Sequence, residues 1–183
     1  STSCYASFTI EDTTPPTIDT PASNLTVECD GNSNSGDLIA WLNDFAGAAA
    51  SDICADVNWS HNYTGNMVLD CGLTGSVDVI FTATDECNNT TSTMATFTIE
   101  DTTDPTIQCP SDITIECGDP LQDAVIENWL SSATGNDSCS DITITNDYDD
   151  TYEAACGNTG TYTVIFTVMD VCMNTDDCNT TIT

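Results

Sequence analysis

The chain has 183 residues with 30 Asp and Glu, one His and no Lys or Arg, giving a formal net charge of −30. An ordinary soluble protein is roughly a quarter charged residues of both signs; here no Lys or Arg ion pair forms, and each carboxylate must be solvated, hydrogen-bonded to neutral groups or neutralised by ions from solution. Direct binding of nucleic acid or of an anionic membrane is excluded, because phosphate recognition rests on Lys and Arg, and phosphoryl-transfer and Schiff-base chemistry lose their usual cation.

From the N-terminus, no leader segment is present, which predicts a mature or excised piece. Residues 4–10, CYASFTI, match TMATFTI at 93–99. They predict, within 1–10, the closing strand of a preceding repeat in a longer array. FTIEDTTPPTI at 8–18 recurs as FTIEDTTDPTI at 97–107, a shift of 89, and LTVEC at 25–29 returns as ITIEC at 113–117, a shift of 88. Further along the shift is 85: TGSVDVIFTATDECNN maps onto TGTYTVIFTVMDVCMN. Two modules follow, over 11–99 and 100–183.

Within the first module, Asp37 to Ala46 carries Leu38, Trp41, Leu42 and Phe45 at helical spacing. The counterpart helix begins at Asp119-Pro120, a cap and a first-turn proline, and carries Leu121, Val125 and Trp129. Both tryptophans are expected to pack this helix onto the sheets, with ligand contact the alternative. A strand is expected over 57–62. Val77, Val79, Phe81 and Ala83 alternate with Asp78, Thr82 and Thr84 over 76–84, Tyr162, Val164, Phe166 and Val168 have the same spacing in the second copy, and Ala95, Phe97 and Ile99 repeat the period. These are strands with one buried face. The fold class expected is all-β: tandem Ig-like β-sandwich modules, each with one short inserted helix, disulfide-stapled.

Eleven cysteines indicate an oxidising compartment, most simply outside a cell. No run of 18 apolar residues exists, so direct membrane insertion is not expected. Four cysteines per module allow three connectivities. An Ig-like topology puts the loops holding Cys54 and Cys87 at one end of a module and Cys29 and Cys71 at the other. It favours Cys54–Cys87, Cys29–Cys71, Cys139–Cys172 and Cys117–Cys156. Cys109 and Cys178, peculiar to the second module, are expected to pair across adjacent strands, where the first has Thr20 and Thr93. Cys4 is left over, at the position equivalent to Cys178. With no CxxC pair, a zinc reading of these cysteines is weak.

Four D-x-C motifs, at Asp52, Asp85, Asp137 and Asp170, fall at the end assigned to Cys54 and Cys87 and to their counterparts. Residues two apart in an extended chain share a face. Bridging the cysteines would therefore crowd paired carboxylates, which must protonate or take a cation. The linkers add Glu11 and Asp12 to Asp52 and Asp85, and Glu100, Asp101 and Asp104 to Asp137 and Asp170. The cofactor expected at these two sets is Ca2+, which takes about 6–8 oxygens. The alternative is that these are solvated turn residues.

No G-x-S-x-G, P-loop or H-E-x-x-H motif is present, acid pairs are too abundant to single out a glycosidase pair, and His61 has no nucleophile motif near it. The chain reads as a non-enzyme. Trp59 and Tyr63 are the candidates for stacking on surface glycans, against core or edge packing. Seven N-x-S/T sequons, at Asn24, Asn58, Asn62, Asn88, Asn89, Asn136 and Asn179, are near what so much Asn and Thr gives by chance.

TIQCPSDITIEC, FTVMDVCMN and CNTTIT together resemble the hyalin repeat, an Ig-like extracellular adhesion module. The fuller pattern of TVECDG, AWL, SDIC, DCGLTGS, VIFTATDECNN and TFTIEDTT is similar to the tandem repeats of giant Bacteroidota surface adhesins, including those used in gliding. The resemblance covers almost the whole chain. It implies export to the cell surface by type IX secretion and a role in adhesion or in an extended fibre. It also implies O-glycosylation of the Asp-Thr-Thr motifs at Thr13 and Thr102. The first module departs from the hyalin pattern in lacking the Cys109–Cys178 pair. The function expected is a structural spacer or fibre-forming repeat whose partners are neighbouring repeats or other copies in a filament; the alternative is a module that binds surface glycans.

Overall fold

The structure is a computed structural model that describes residues 4–120, 122–149, 153–154, 157 and 159–183. Leu121 and Cys156, named above for the second helix and for the pairing with Cys117, lie outside the described residues. Residues 4–10 form no strand, and Tyr5, Phe8 and Ile10 stand exposed.

In chain order the first half contains β1 (Thr17–Thr20), β2 (Leu25–Glu28), α1 (Ser35–Asn43), a 3-10 turn (Phe45–Gly47), β3 (Ala49–Ser51), β4 (Asn58–His61), β5 (Val68–Leu69), β6 (Gly75–Thr84) and β7 (Thr90–Glu100). The second contains β8 (Thr106–Gln108), α2 (Gln122–Leu130), β9 (Thr134–Asn136), β10 (Ile142–Asn146), β11 (Glu153–Ala154), β12 (Gly160–Asp170) and β13 (Thr175–Ile182). The chain divides into two compact units. The first takes the chain through Val27, with Asn34–Val68 and Gly75–Ile99. The second takes Glu28–Ser33, Leu69–Thr74 and Glu100–Thr183. Two short segments of the first sequence repeat are thus part of the second unit.

In the first unit the large sheet runs β2-β7-β6-β4, with β5 also on β6, and β1 pairs with β3 in a second sheet. Alternation sets which face is buried: Val79, Phe81, Ala83, Ala95, Phe97 and Ile99 are almost wholly excluded from solvent. Val77 is only half-buried. Trp41 closes the core from α1. Its ring lies 5.2 Å edge-on from Phe81 and 5.6 Å from Phe97, and its Nε1–H donates to the Ser23 carbonyl at 3.0 Å.

The second unit repeats this design. Its large sheet has β12 between β10 and β13, with β11 also on β12, and β8 pairs with β9. Val164, Phe166 and Ile182 form the core with Ile126 and Trp129 of α2, and Ile107 and Ile144 pack against it. Trp129 lies 5.7 Å edge-on from Phe166 and donates to the Ser111 carbonyl at 2.7 Å. In each unit a buried indole thus finds its one polar partner, 18 residues back in both. The architecture is all-β, with one short helix in each unit and three disulfides among the described residues.

The cysteine pairing differs from the sequence expectation. Cys29 is bonded to Cys139 and Cys71 to Cys172, in place of Cys29–Cys71 and Cys139–Cys172. The cause is the placement of segments 28–33 and 69–74 in the second unit. There the Cys29 N–H donates to the Glu100 carbonyl at 2.7 Å and the Leu73 N–H to the Cys139 carbonyl at 2.9 Å. Cys54 and Cys87, expected to bond each other, are exposed and unbonded. Cys109 is bonded to Cys178 as expected, but the bond joins the end of β8 to β13, strands of different sheets. In the first unit Thr93 Oγ1 instead accepts the Ala22 N–H at 3.1 Å.

Candidate metal centre

Each linker enters its unit beside the turn that connects the longest strand pair. In the second unit that turn joins β12 to β13 and is closed on itself. The Asn174 N–H donates to Asp170 Oδ1 at 2.9 Å and Asn174 Nδ2 to Asp170 Oδ2 at 2.8 Å. The same amide reaches the Asp101 carbonyl at 3.1 Å, fixing the linker against the turn. In the first unit Asn89 repeats all three bonds: 2.8 Å to each Asp85 oxygen and 3.3 Å to the Asp12 carbonyl. Sequence reasoning missed these two asparagines. Their signal was the spacing D-x-C-x-N, present at 85–89 and 170–174.

The carboxylates gather around this anchor. Asp101, Asp137 and Asp170 each place an oxygen within 4.8 Å of the others. Asp101 and Asp170 are buried and Asp137 half-buried. Asp137 Oδ1 accepts the N–H groups of Cys139 and Ser140 at 2.8 and 2.7 Å, which orients it inside the D-x-C loop. Asp101 Oδ1 accepts the Thr103 N–H at 3.3 Å, whereas Oδ2 is buried and has no hydrogen-bond partner. Burial, and then the neighbouring charge of Asp137, push the pKa of Asp101 up against that hydrogen bond, with Asp170 and Glu28 adding to the rise. Of the expected set Glu100, Asp101, Asp104, Asp137 and Asp170, three acids come together; Glu100 and Asp104 are exposed and stand outside the group.

In the first unit the group is Asp12, Asp52 and Cys54. Asp12 Oδ2 is again a buried oxygen with no partner, and Asp52 Oδ1 accepts the Cys54 N–H at 2.8 Å. Glu11 is exposed and outside the group. Asp85 is buried and outside the group, although its bonds to Asn89 are those that Asp170 makes to Asn174 inside the other group; burial works to raise its pKa, and the hydrogen bonds from Asn89, Cys87 and Asn88 outweigh that and hold it below the usual carboxylate range. Burial and then the charges of Asp12 and Asp85 raise the Cys87 thiol.

The second linker is held from one further side. Glu28 accepts the Thr102 N–H at 2.8 Å, the Thr102 hydroxyl at 2.9 Å and the Thr103 hydroxyl at 2.8 Å. The N–H of Thr102 and the hydroxyl of Thr103 lead in holding the Glu28 carboxyl below its ordinary range. Thr102, one expected sugar acceptor, therefore has its hydroxyl engaged, while Thr13 is exposed. Several sequon asparagines are also engaged: Asn24 and Asn62 accept the N–H groups of Thr96 and Ile80, both at 2.9 Å. Trp59 is half-buried and stacks on Phe45, with rings 5.8 Å apart at 18°. His61 is exposed, its ring 6.2 Å edge-on from Phe81.

No family model matches the chain, and no curated protein matches it in sequence. Among solved structures it is similar to Drosophila N-cadherin EC1-4, at 14% identity and TM-score 0.38, over 92% of this chain and 49% of that one. It is also similar to protocadherin gamma C5 EC1-3, at 10% and 0.34 over 92% and 67%, and to the protocadherin gammaB4 extracellular domain, at 12% and 0.35 over 95% and 32%. The chain thus spans about half the length of the N-cadherin fragment.

Proposed function

We propose that this chain is a pair of extracellular structural repeats, spacer or fibre-forming units of an adhesin, in which Ca2+ fastens the linker of each unit to its D-x-C loops. The observation that carries the reading is Asp101: a buried carboxylate oxygen without a partner, beside Asp137 and Asp170, in a chain with no Lys or Arg to neutralise it. Oxygens bound to one Ca2+ at about 2.3–2.6 Å stand no more than roughly 5 Å apart, and this group lies within 4.8 Å. In the second unit the donors are all hard oxygens, which suits Ca2+ over soft metals. Asp101, Asp137 and Asp170 would hold the ion in the second unit, and Asp12 and Asp52 in the first. An ion there supplies the positive charge that the sequence lacks and ties the linker segment to two loops. The three disulfides suit an oxidising compartment, and the reading is non-enzymatic.

Isothermal calorimetry tests it. Extracellular modules bind Ca2+ at about 10⁻⁴–10⁻³ M, so a titration into the low millimolar range gives saturable heat, and D101N removes the component from the second unit. A flat titration, or one unaltered by D101N together with D137N, refutes the reading.

A further inference from the structure

In the second unit two added segments seat on the D-x-C loops and on the linker. Segment 28–33 bonds Cys29 to Cys139, and segment 69–74 bonds Cys71 to Cys172. Cys139 is left 2% exposed and Cys172 half-buried. The backbones meet as closely as the sulfurs. The Leu73 N–H donates to the Cys139 carbonyl at 2.9 Å. A Cβ at Gly31 would lie 2.8 Å from the Ser138 carbonyl, and one at Gly72, where φ is +57°, would collide with the Cys139 carbonyl. Glu28 adds a third hold, accepting the hydroxyls of Thr102 and Thr103.

The first unit carries the counterparts of all these acceptors. Cys54 and Cys87, 85 residues before Cys139 and Cys172, are exposed and unbonded. Ile53, at the position of Ser138, is a fully exposed apolar side chain. Thr13 and Thr14 lie 89 residues before Thr102 and Thr103. The Thr14 N–H donates to Asp12 Oδ1 at 3.0 Å, as the Thr103 N–H does to Asp101 Oδ1, so the two linkers turn alike. Among the described residues, however, the hydroxyls of Thr13 and Thr14 make no hydrogen bond.

We propose that Cys54, Cys87 and the Thr13-Thr14 linker are the acceptor surface for two loops of a further repeat, one that precedes the first unit in the chain. One loop, of the Glu-Cys-x-Gly type, bonds Cys54 and rests its carboxylate on the two threonines; the other is a Cys-Gly turn that bonds Cys87. CYASFTI at 4–10 matches TMATFTI at 93–99, the segment ahead of the second linker, which favours a preceding repeat as the source. Each Sγ–Sγ bond forms as two thiols release two protons and pass two electrons to a disulfide oxidant, which is reduced to two thiols. The inference goes beyond the spacer reading and does not require calcium.

The test offers the loops as probes to the 183-residue chain in EDTA, so that its outcome is separate from that of the calcium titration. The probes are the chain's own sequences ECDGNS (28–33) and LDCGLT (69–74), each supplied as its mixed disulfide with glutathione in a glutathione redox buffer. Exchange passes the peptide to a protein thiol and releases a glutathione thiol in its place. The expected result by mass spectrometry is ECDGNS on Cys54 and LDCGLT on Cys87, each favoured about tenfold over glutathione, which is what one net hydrogen bond to a charged or buried partner supplies. Glu28→Ala in the first peptide and Gly72→Ala in the second should each remove that preference. The Cys29–Cys139 and Cys71–Cys172 bridges, read in the same spectra, report a folded chain. Capture no better than that of glutathione, peptides that take either cysteine alike, capture indifferent to both substitutions, or a Cys54–Cys87 bridge formed in their stead overturns the proposal.

Discussion

At the scale of single residues, Asp101 and Asn174 carry the argument in opposite ways. Asp101 contributes a buried charge without compensation, so the calcium-free protein carries its cost at neutral pH. Asp101→Asn keeps the shape and removes the charge. It should raise the melting temperature in EDTA at pH 7 while erasing the stabilisation by Ca2+ from the second unit. That stabilisation is about 1.4–2.7 kcal/mol in 10 mM Ca2+ for a Kd of about 10⁻³–10⁻⁴ M, and differential scanning calorimetry with and without the ion reads both effects. Asn174 is a positioning residue: its amide joins Asp170 to the linker carbonyl of Asp101. Asn174→Ala should cost about 1–3 kcal/mol in stability, because it strands buried acceptors. It should also weaken Ca2+ binding in calorimetry, although no atom of Asn174 belongs to the acid group. Asp112 offers a pH readout away from that group. The Thr180 hydroxyl at 2.7 Å, and then the Thr181 N–H at 2.8 Å, hold its carboxyl below the ordinary range. A lowered native pKa gives stability that is present above the unfolded value and is lost as pH falls through the native one. In the first unit Asn24 makes the corresponding bond to Thr96 with a neutral amide. Asp112→Asn should therefore keep the hydrogen bond at neutral pH and flatten the acid limb of a melting-temperature profile measured between pH 6 and pH 2.

At the scale of elements, the disulfides decide which segments belong to which unit. Cys29–Cys139 closes a separation of 110 residues and Cys71–Cys172 one of 101. The chain-entropy model gives about 4.7 kcal/mol for a loop of about 100 residues, and because the two loops overlap their contributions do not add. The double variant C29A/C139A should lower the stability of the second unit by up to about 4–5 kcal/mol in urea unfolding, with its sheet retained by circular dichroism. These bridges also show what the sequence could and could not say. The period-2 runs at 76–84 and 160–168 told which faces are buried, because a strand with one dry side has few other solutions. The two tryptophans were legible for a similar reason: a short helix with an indole on its apolar stripe has only the sheet face to cover it. The cysteine partners were not legible. Sequence reasoning kept each repeat to itself, whereas segments 28–33 and 69–74 pack in the second unit. The D-x-C motifs announced loops rich in acid, but Asp170 joins the linker acid while Asp85 stays outside, although an Asn closes both turns with the same side-chain hydrogen bonds. No hydrophobic pattern encodes that choice.

At the scale of the whole molecule, the charge of one sign makes a prediction that most proteins cannot. With 30 acids and no Lys or Arg, monovalent salt has almost no favourable ion pair to weaken, so screening acts almost entirely on repulsion. The Debye length falls from about 30 Å at 0.01 M to about 8 Å at 0.15 M, which is short enough to isolate most exposed carboxylates from one another. The folded chain holds its charges closer together than the unfolded chain does, so screening favours the folded state. In EDTA, raising NaCl from 0.01 to 0.15 M should therefore raise the melting temperature steadily, whereas a surface of mixed charge would show little change or a fall. CaCl2 at matched ionic strength separates the two roles of cations. Screening alone predicts nearly coincident curves for the two salts, while binding at Asp12 and Asp52 and at Asp101, Asp137 and Asp170 predicts an increment that saturates with Ca2+ and disappears in the double variant D12N/D101N. A melting temperature indifferent to NaCl would mean that hydrogen bonds such as those on Glu28, Asp85 and Asp112 already absorb the repulsion.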